Sequence, residues 1–413
     1  VKQRSRSFPT PALLAGTLFL AVAASAADAT SGTGPNPFDY PPFLDIGTAR
    51  IEQVSGGAVV AGYGGHYTVE GPLQQAAYCG YPGKGACDAD GNWYFADHTV
   101  NQVRAFINGR VCVLAGTGAR GLRDNCPAGQ AHFNIPPYTL HTTAATGSPA
   151  KGDGAVFLVD NDRVRRVQRK DGRWWVDTVA GGGKETIKPG EQKPAASLGL
   201  LLWNSVAADL SRPGDILVLQ KRPASLVRIH TNGMAEAIDV PAGFGGQGLQ
   251  TDRKGRVYGW VREGNFTRLD PATGKLETLA VDNPPNRAAI AKEMEAKYGK
   301  GYMRENGWDG PADKVEWYCP ASYAVDADGA ALYAGGGDAW NVRRAKDGFV
   351  KTLFSDGKFH IRQAVDEKKL PIYQFGSPCG SYGEWIYLRA GPVDGLSCII
   401  RYKPGRDTEV EGE

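Results

Sequence analysis

Short runs of alternating apolar and polar residues recur from residue 86 onward, each ended by a glycine-containing turn. Ala86 to Arg104 reads ACDADGNWYFADHTVNQVR and passes through Asn108-Gly109 into RVCVLAGTG at 110–118. The grammar repeats with VFLVDNDRVRRV (156–167), a turn at Asp171-Gly172, and WWVDTVAGGG (174–183). A third copy is AVDADGAALYAGGGDAWNVRR (324–344), a turn at Asp347-Gly348, and FVKTL (349–353). Looser copies occupy 215–229, 248–269 and 384–402, giving six candidate four-stranded units. Alternation with a period of two predicts strands, and Asp-Gly or Asn-Gly between two runs predicts hairpins. One segment breaks the pattern. Asn286 to Asn306 carries Ile290, Met294 and Tyr298 four apart, which predicts an amphipathic helix near 288–304, between units four and five.

Composition sharpens this to an all-β class. The chain has 413 residues with 55 Gly and 26 Pro, the two weakest helix formers, and 40 aromatic residues from which a core can form. With 47 basic against 44 acidic residues, charge gives no reason to expect a nucleic-acid partner. Residues 1–26 read as an export signal: Lys2, Arg4 and Arg6, an apolar run from Pro11 to Ala24, then Ala24-Ser25-Ala26 as a cleavage site. A helix over that run would reach only about 21 Å, too short for a roughly 30 Å bilayer core. No membrane span is expected elsewhere. The seven cysteines (79, 87, 112, 126, 319, 379 and 398) are an odd number and contain no C-x-x-C pair.

The repeats resemble the NHL-repeat β-propellers. The likeness rests on DADGNWYFAD…NQVR at 88–104 and on the connectors AGTGARGLRDNCPAGQAHFNIP (115–136), EGPLQQAAYCGYP (70–82) and GWDGPADKVEWYCP (307–320). It implies a six-bladed propeller over 46–405, between a linker at 27–45 and a polar tail at 406–413. Ile51 to Ala61 would supply the outer strand of the last blade and close the ring. Cys79 and Cys379 would then precede the inner strands of neighbouring blades, and their disulfide is the favoured pairing. Glu70-Gly71-Pro72 also resembles the start of gluconolactonase-type propellers, where an acidic residue binds a divalent metal, but it fits the inter-blade connector better. Otherwise no motif supports a metal or another cofactor.

In such a fold the loops between second and third strands share a face with the inter-blade connectors, around a central channel. That face would carry Asp97 and Asp160 on one side and Lys221, Arg222 and Arg262 opposite, with Arg389 in the last unit. The two Asp also suit turn and capping roles. His98, His132 and His141 gather near the acidic side and are candidate acid/base groups. Aromatic residues, among them Trp308, Trp340, Tyr323 and Tyr382, fall in or beside connectors, the two Tyr in the near-repeats CPASY and CGSY as catalytic candidates that would assist the His in acid/base chemistry. These residues suit an exported enzyme, a lyase or hydrolase, acting on a carbohydrate-like and anionic small molecule or oligosaccharide in the periplasm or outside the cell. A non-catalytic binding propeller and a metal-dependent lactonase are the alternatives.

Overall fold

A computed structural model describes residues 85–135 and 143–280 almost throughout, with parts of the flanking strands at 44–55, 71–72, 310–311, 323–355 and 374–403. The chain is an all-β propeller. Unit one pairs Ala86–Cys87, Trp93–Asp97, Gln102–Ile107 and Arg110–Ala115 in antiparallel order. Unit two runs Thr143–Ser148, Asp153–Asp160, Arg163–Lys170 and Arg173–Gly181; unit three runs Leu202–Ala208, Ile216–Lys221, Ala224–Ile229 and Met234–Asp239. Unit four is Gln250–Thr251, Val257–Trp260, Phe266–Asp270 and Lys275–Ala280. These four are the blades described with most of their side chains, where the sequence predicts six. Units five (Tyr323–Val325 to Phe349–Ser355) and six (Gln374–Tyr382, Trp385–Gly391, Cys398–Lys403) also form sheets, described chiefly as backbone.

The strand pattern follows from where each sheet lies. Second strands are sandwiched between neighbouring sheets, so Trp93–Asp97 is buried at every position and not at alternate ones. Outermost strands such as Met234–Asp239 alternate, because one side meets water. The core is therefore a set of wedges between sheets. Tyr94, Val103, Phe133 and Leu158 join units one and two, and Phe157, Val159, Val206 and Val218 join two and three. Leu217, Leu226, Phe244 and Val257 join three and four. Tyr258, Phe266 and Tyr323 carry the packing on to unit five.

Local chemistry sets the turns. Asp171 and Gly172 both have positive φ (51° and 75°), the conformation a two-residue hairpin needs, as their Asp-Gly sequence predicts. Between first and second strands the spacing D-x-x-G-x-x-Y occurs at 88–94 and 252–258. Asp88 accepts backbone N–H bonds from Asp90 and Asn92 with Oδ1, and the Tyr94 hydroxyl donates to its Oδ2 at 2.7 Å. Asp252 repeats this with Lys254, Arg256 and the Tyr258 hydroxyl. Burial pushes the Asp252 carboxyl up, but the bonds from Arg256 and Tyr258 outweigh it and hold it below its ordinary value. Burial, reinforced by Asp88, drives the Tyr94 phenol far above its usual range, so it stays a donor.

The connectors add a feature the alternation does not announce. Gly71–Pro72, Cys126–Pro127, Gln192–Pro194 and Gly310–Pro311 each lie alongside an outermost strand as a short fifth strand. Gly71–Pro72 thus occupies the same position as Gly310–Pro311, as the connector reading of Glu70-Gly71-Pro72 requires. The N-terminal strand Ala49–Ser55 pairs with Cys398–Lys403, so the outer strand of unit six comes from the start of the chain. It begins two residues before the predicted Ile51. Between units four and five, Ala289, Lys292, Glu293 and Ala296 are helical and exposed, on spacing that marks the polar side of the predicted helix. Among the described residues no helix is long and apolar enough to cross a membrane.

Candidate functional site

On the connector face, the predicted acidic side is built inward. Asp97 ends the second strand of unit one with no exposed surface, 3.6 Å from the equally buried Arg104. Asp160 holds the same place in unit two: Arg165 Nη1 lies 2.7 Å from its Oδ2, and the Asn134 N–H donates to its Oδ1 at 2.8 Å. Arg165 also donates to the backbone oxygens of His132 and Arg123 and lies 4.9 Å from the Phe133 ring centroid. Both carboxylates thus fasten a blade, and Asp160 also fastens the connector from unit one. They present no acidic rim.

The histidines separate. His98, just beyond Asp97, is half-buried, and its Nδ1 is buried with no hydrogen-bond partner among the described residues. Burial lowers its pKa; Asp97 opposes and Arg120 adds to the effect, so the imidazole is neutral at pH 7. The backbone of His132 is engaged, its N–H donating to the Arg123 carbonyl and its own carbonyl accepting from Arg165. No hydrogen bond joins His132 to His98 among the described residues. Tyr323 is fully buried and its hydroxyl donates to the Tyr258 carbonyl at 2.8 Å, which fixes it within the wedge between units four and five. His141, Arg262, Trp308 and Trp340 lie outside the described residues, as do the side chains of Tyr382 and Arg389.

His98 couples folding to pH. Its folded-state pKa lies below the ordinary 6.5, so the unfolded chain binds the proton more readily. The stability it supports is complete above about pH 6.5 and is lost as pH falls from there toward the lowered value. Urea unfolding at pH 7.5 and pH 5 should show His98→Gln losing less stability than the parent on acidification. Equal losses would place His98 in an ordinary aqueous setting.

The basic corner of unit three is exposed on this face. Lys221 ends the second strand, its N–H donates to the Leu201 carbonyl at 2.7 Å, and its ammonium lies 4.7 Å from the Trp203 ring centroid. Arg222 follows, exposed, before a cis peptide to Pro223. Gln220 occupies the corner that Asp97 and Asp160 fill in units one and two, and donates to the Arg222 carbonyl at 3.1 Å. An ammonium held over an indole beside an exposed guanidinium can receive an anionic group next to a ring.

A second polar group, missed in the sequence, lies at the other end of unit three. His230 Nδ1 is 2.7 Å from Asp215 Oδ2, and its Nε2 is 3.5 Å from Glu236 Oε2. Arg228 bridges Glu236 and the buried Asp209. The register Ile216↔Ile229 places Asp215 opposite His230, which the hairpin alone would have revealed. Among the described residues, no three His, Cys, Asp or Glu could together hold a metal ion. Cys126 is a buried thiol whose pKa burial raises, and the side chains of Cys79 and Cys379 lie outside the described residues.

No family model matches the chain, and no curated protein does. Solved structures do. An auxiliary nutrient binding protein from Bacteroides thetaiotaomicron is 12% identical with a TM-score of 0.51, over 86% of this chain and 76% of that one. One of the same description from Bacteroides ovatus is 12% identical with a TM-score of 0.50, over 87% and 77%. Virginiamycin B lyase from Staphylococcus aureus, 10% identical with a TM-score of 0.40, covers 82% of this chain and 99% of its own. At such identities the likeness is one of fold, and the fold shared is the β-propeller.

Proposed function

We propose that this chain is an exported six-bladed propeller of the NHL type whose connector face binds a small anionic ligand of the carbohydrate class. One observation carries the binding reading: Lys221 held over Trp203 with Arg222 exposed beside it, on a rigid strand corner. What supports the count of six is that inner strands touch in cyclic order through all six units, that of unit six also meeting Ala86–Cys87 of unit one. Export rests on the basic, apolar and small-residue order of residues 1–26. A nutrient-binding description attached to two proteins of similar fold accords with a ligand carrier. Binding is favoured over catalysis because the Tyr323 hydroxyl is held by a backbone carbonyl inside a wedge. A lyase or hydrolase centred on His98 is the second reading, favoured by its neutral imidazole with Nδ1 unpartnered among the described residues.

Titration calorimetry with digalacturonic acid tests the binding reading. The double variant Lys221→Ala, Arg222→Ala should weaken binding at this face about tenfold or more, the usual loss for a hydrogen bond to a charged group. Unchanged affinity would refute it. Unsaturated or shortened products from the same incubation, lost in His98→Gln, would establish the second reading.

A further inference from the structure

A cleft of about 520 Å3 opens between units two and three. Gly152 and Gly214, in first-to-second-strand loops, and His230, at the third-to-fourth turn, line it, so it faces away from the connectors. Its floor is the edge of the hydrophobic wedge between the two blades, with Phe157, Ile216 and Ile229. The cleft survives because the strands of unit two outrun those of unit three: Arg163–Lys170 and Arg173–Gly181 have eight and nine residues against six and six. The surplus length of one blade has no partner surface on the other.

The rim holds its polar groups in fixed positions. Arg166 is bound by both oxygens of Asp177, at 3.0 and 2.6 Å, so its charge is matched. Arg169 differs. It is exposed, sits 5.1 Å from the Trp174 ring centroid, and forms no ion pair with the described residues. His230 is oriented by Asp215, whose other oxygen accepts the Thr231 N–H at 3.2 Å. Gln168 adds an amide.

We infer that this cleft is a second ligand site, distinct from the connector face, for a sugar acid of one or two rings. The volume falls among those of small-molecule sites, roughly 300–1,000 Å3. The apolar floor accepts the C–H face of a ring, Gln168 and the Nε2 edge of His230, which Glu236 approaches to 3.5 Å, face its hydroxyls, and the Arg169 fork takes the carboxylate. Asp215 and Trp174 hold the imidazole and guanidinium before the ligand arrives, which lowers the ordering cost of binding.

Calorimetry on the full chain with digalacturonic acid, and with cellobiose as the uncharged counterpart, tests this. Two sites are expected in the parent. Arg169→Gln should weaken one of them about tenfold, and His230→Gln the same one, while Lys221→Ala, Arg222→Ala affects only the other. Unchanged unfolding midpoints will separate lost contacts from lost structure, since Arg169 is exposed. A single site abolished by Arg169→Gln alone would uphold this inference and sink the connector-face reading. A single site abolished by the Lys221/Arg222 variant alone would do the reverse. Cellobiose binding as tightly as the acid at the Arg169-dependent site would overturn the assignment to a sugar acid.

Discussion

Replacing Asp160 by alanine should destabilise the protein by about 3–5 kcal/mol, the usual consequence of leaving a buried charge without its partner. Arg165 has no exposed surface, and Asp160 is its buried counterion at 2.7 Å. The remaining carboxylate, Asp124, lies 3.2 Å away and is partly exposed, so it neutralises the guanidinium less well. The substitution also removes the acceptor for the Asn134 N–H, releasing the connector that carries His132. Guanidinium-induced unfolding of the single variant measures the loss. The double variant Asp160→Leu, Arg165→Met should recover much of it, because an apolar pair leaves no charge buried. A loss under about 1 kcal/mol for Asp160→Ala, the ceiling for exposed pairs, would mean that the pair is solvated and Asp160 is available to a ligand after all.

Gly154→Ala should cost about 3 kcal/mol, combining the strain of a glycine-only conformation with overpacking. Gly154 has φ +117°, and a Cβ there would clash with the Thr146 carbonyl oxygen across the hairpin and lie 2.9 Å from Gly147 Cα. Gly147, its partner in the ladder, also has positive φ, so the two cannot move apart without breaking the pairing. Gly172→Ala is the matched control. Its φ is +75° with nothing within 4 Å, so only the backbone preference is lost, about 1 kcal/mol. Chemical denaturation of the two variants should separate them clearly. Equal, small losses would show that the hairpin of unit two relaxes freely. Gly154 also lines the inter-blade cleft, so its substitution should weaken sugar-acid binding there as well.

The features that local sequence controls were legible: Asp171-Gly172 turns where its dipeptide predicts. The closing strand, expected at Ile51 to Ala61 as an outer strand without inner partners of its own, starts two residues earlier because its ends depend on Cys398–Lys403, which is distant in sequence. Side-chain direction was harder to read. Asp97 and Asp160 look like surface acids beside a turn, yet they point into blades because Arg104 and Arg165 on the next strand share their side of the sheet. Tyr323 looked like a catalytic group assisting a histidine, and its hydroxyl instead found the carbonyl of Tyr258, a partner 65 residues away. His230 was not among the candidates because it lies at the end opposite the connectors, and the candidate residues were all placed on the connector face. The fifth strands escaped because two or three residues are too few to show a period.

Indole N–H spectra of tryptophan-labelled protein show whether the basic corner of unit three receives an anionic ligand. Trp203→Phe assigns its signal. On adding digalacturonic acid, the Trp203 resonance should shift along a saturable curve, and Lys221→Ala, Arg222→Ala should abolish that shift. If the Trp203 resonance stays fixed at saturating ligand while signals from Trp174 or Trp175 move, the ligand binds between the blades and the connector-face reading is wrong.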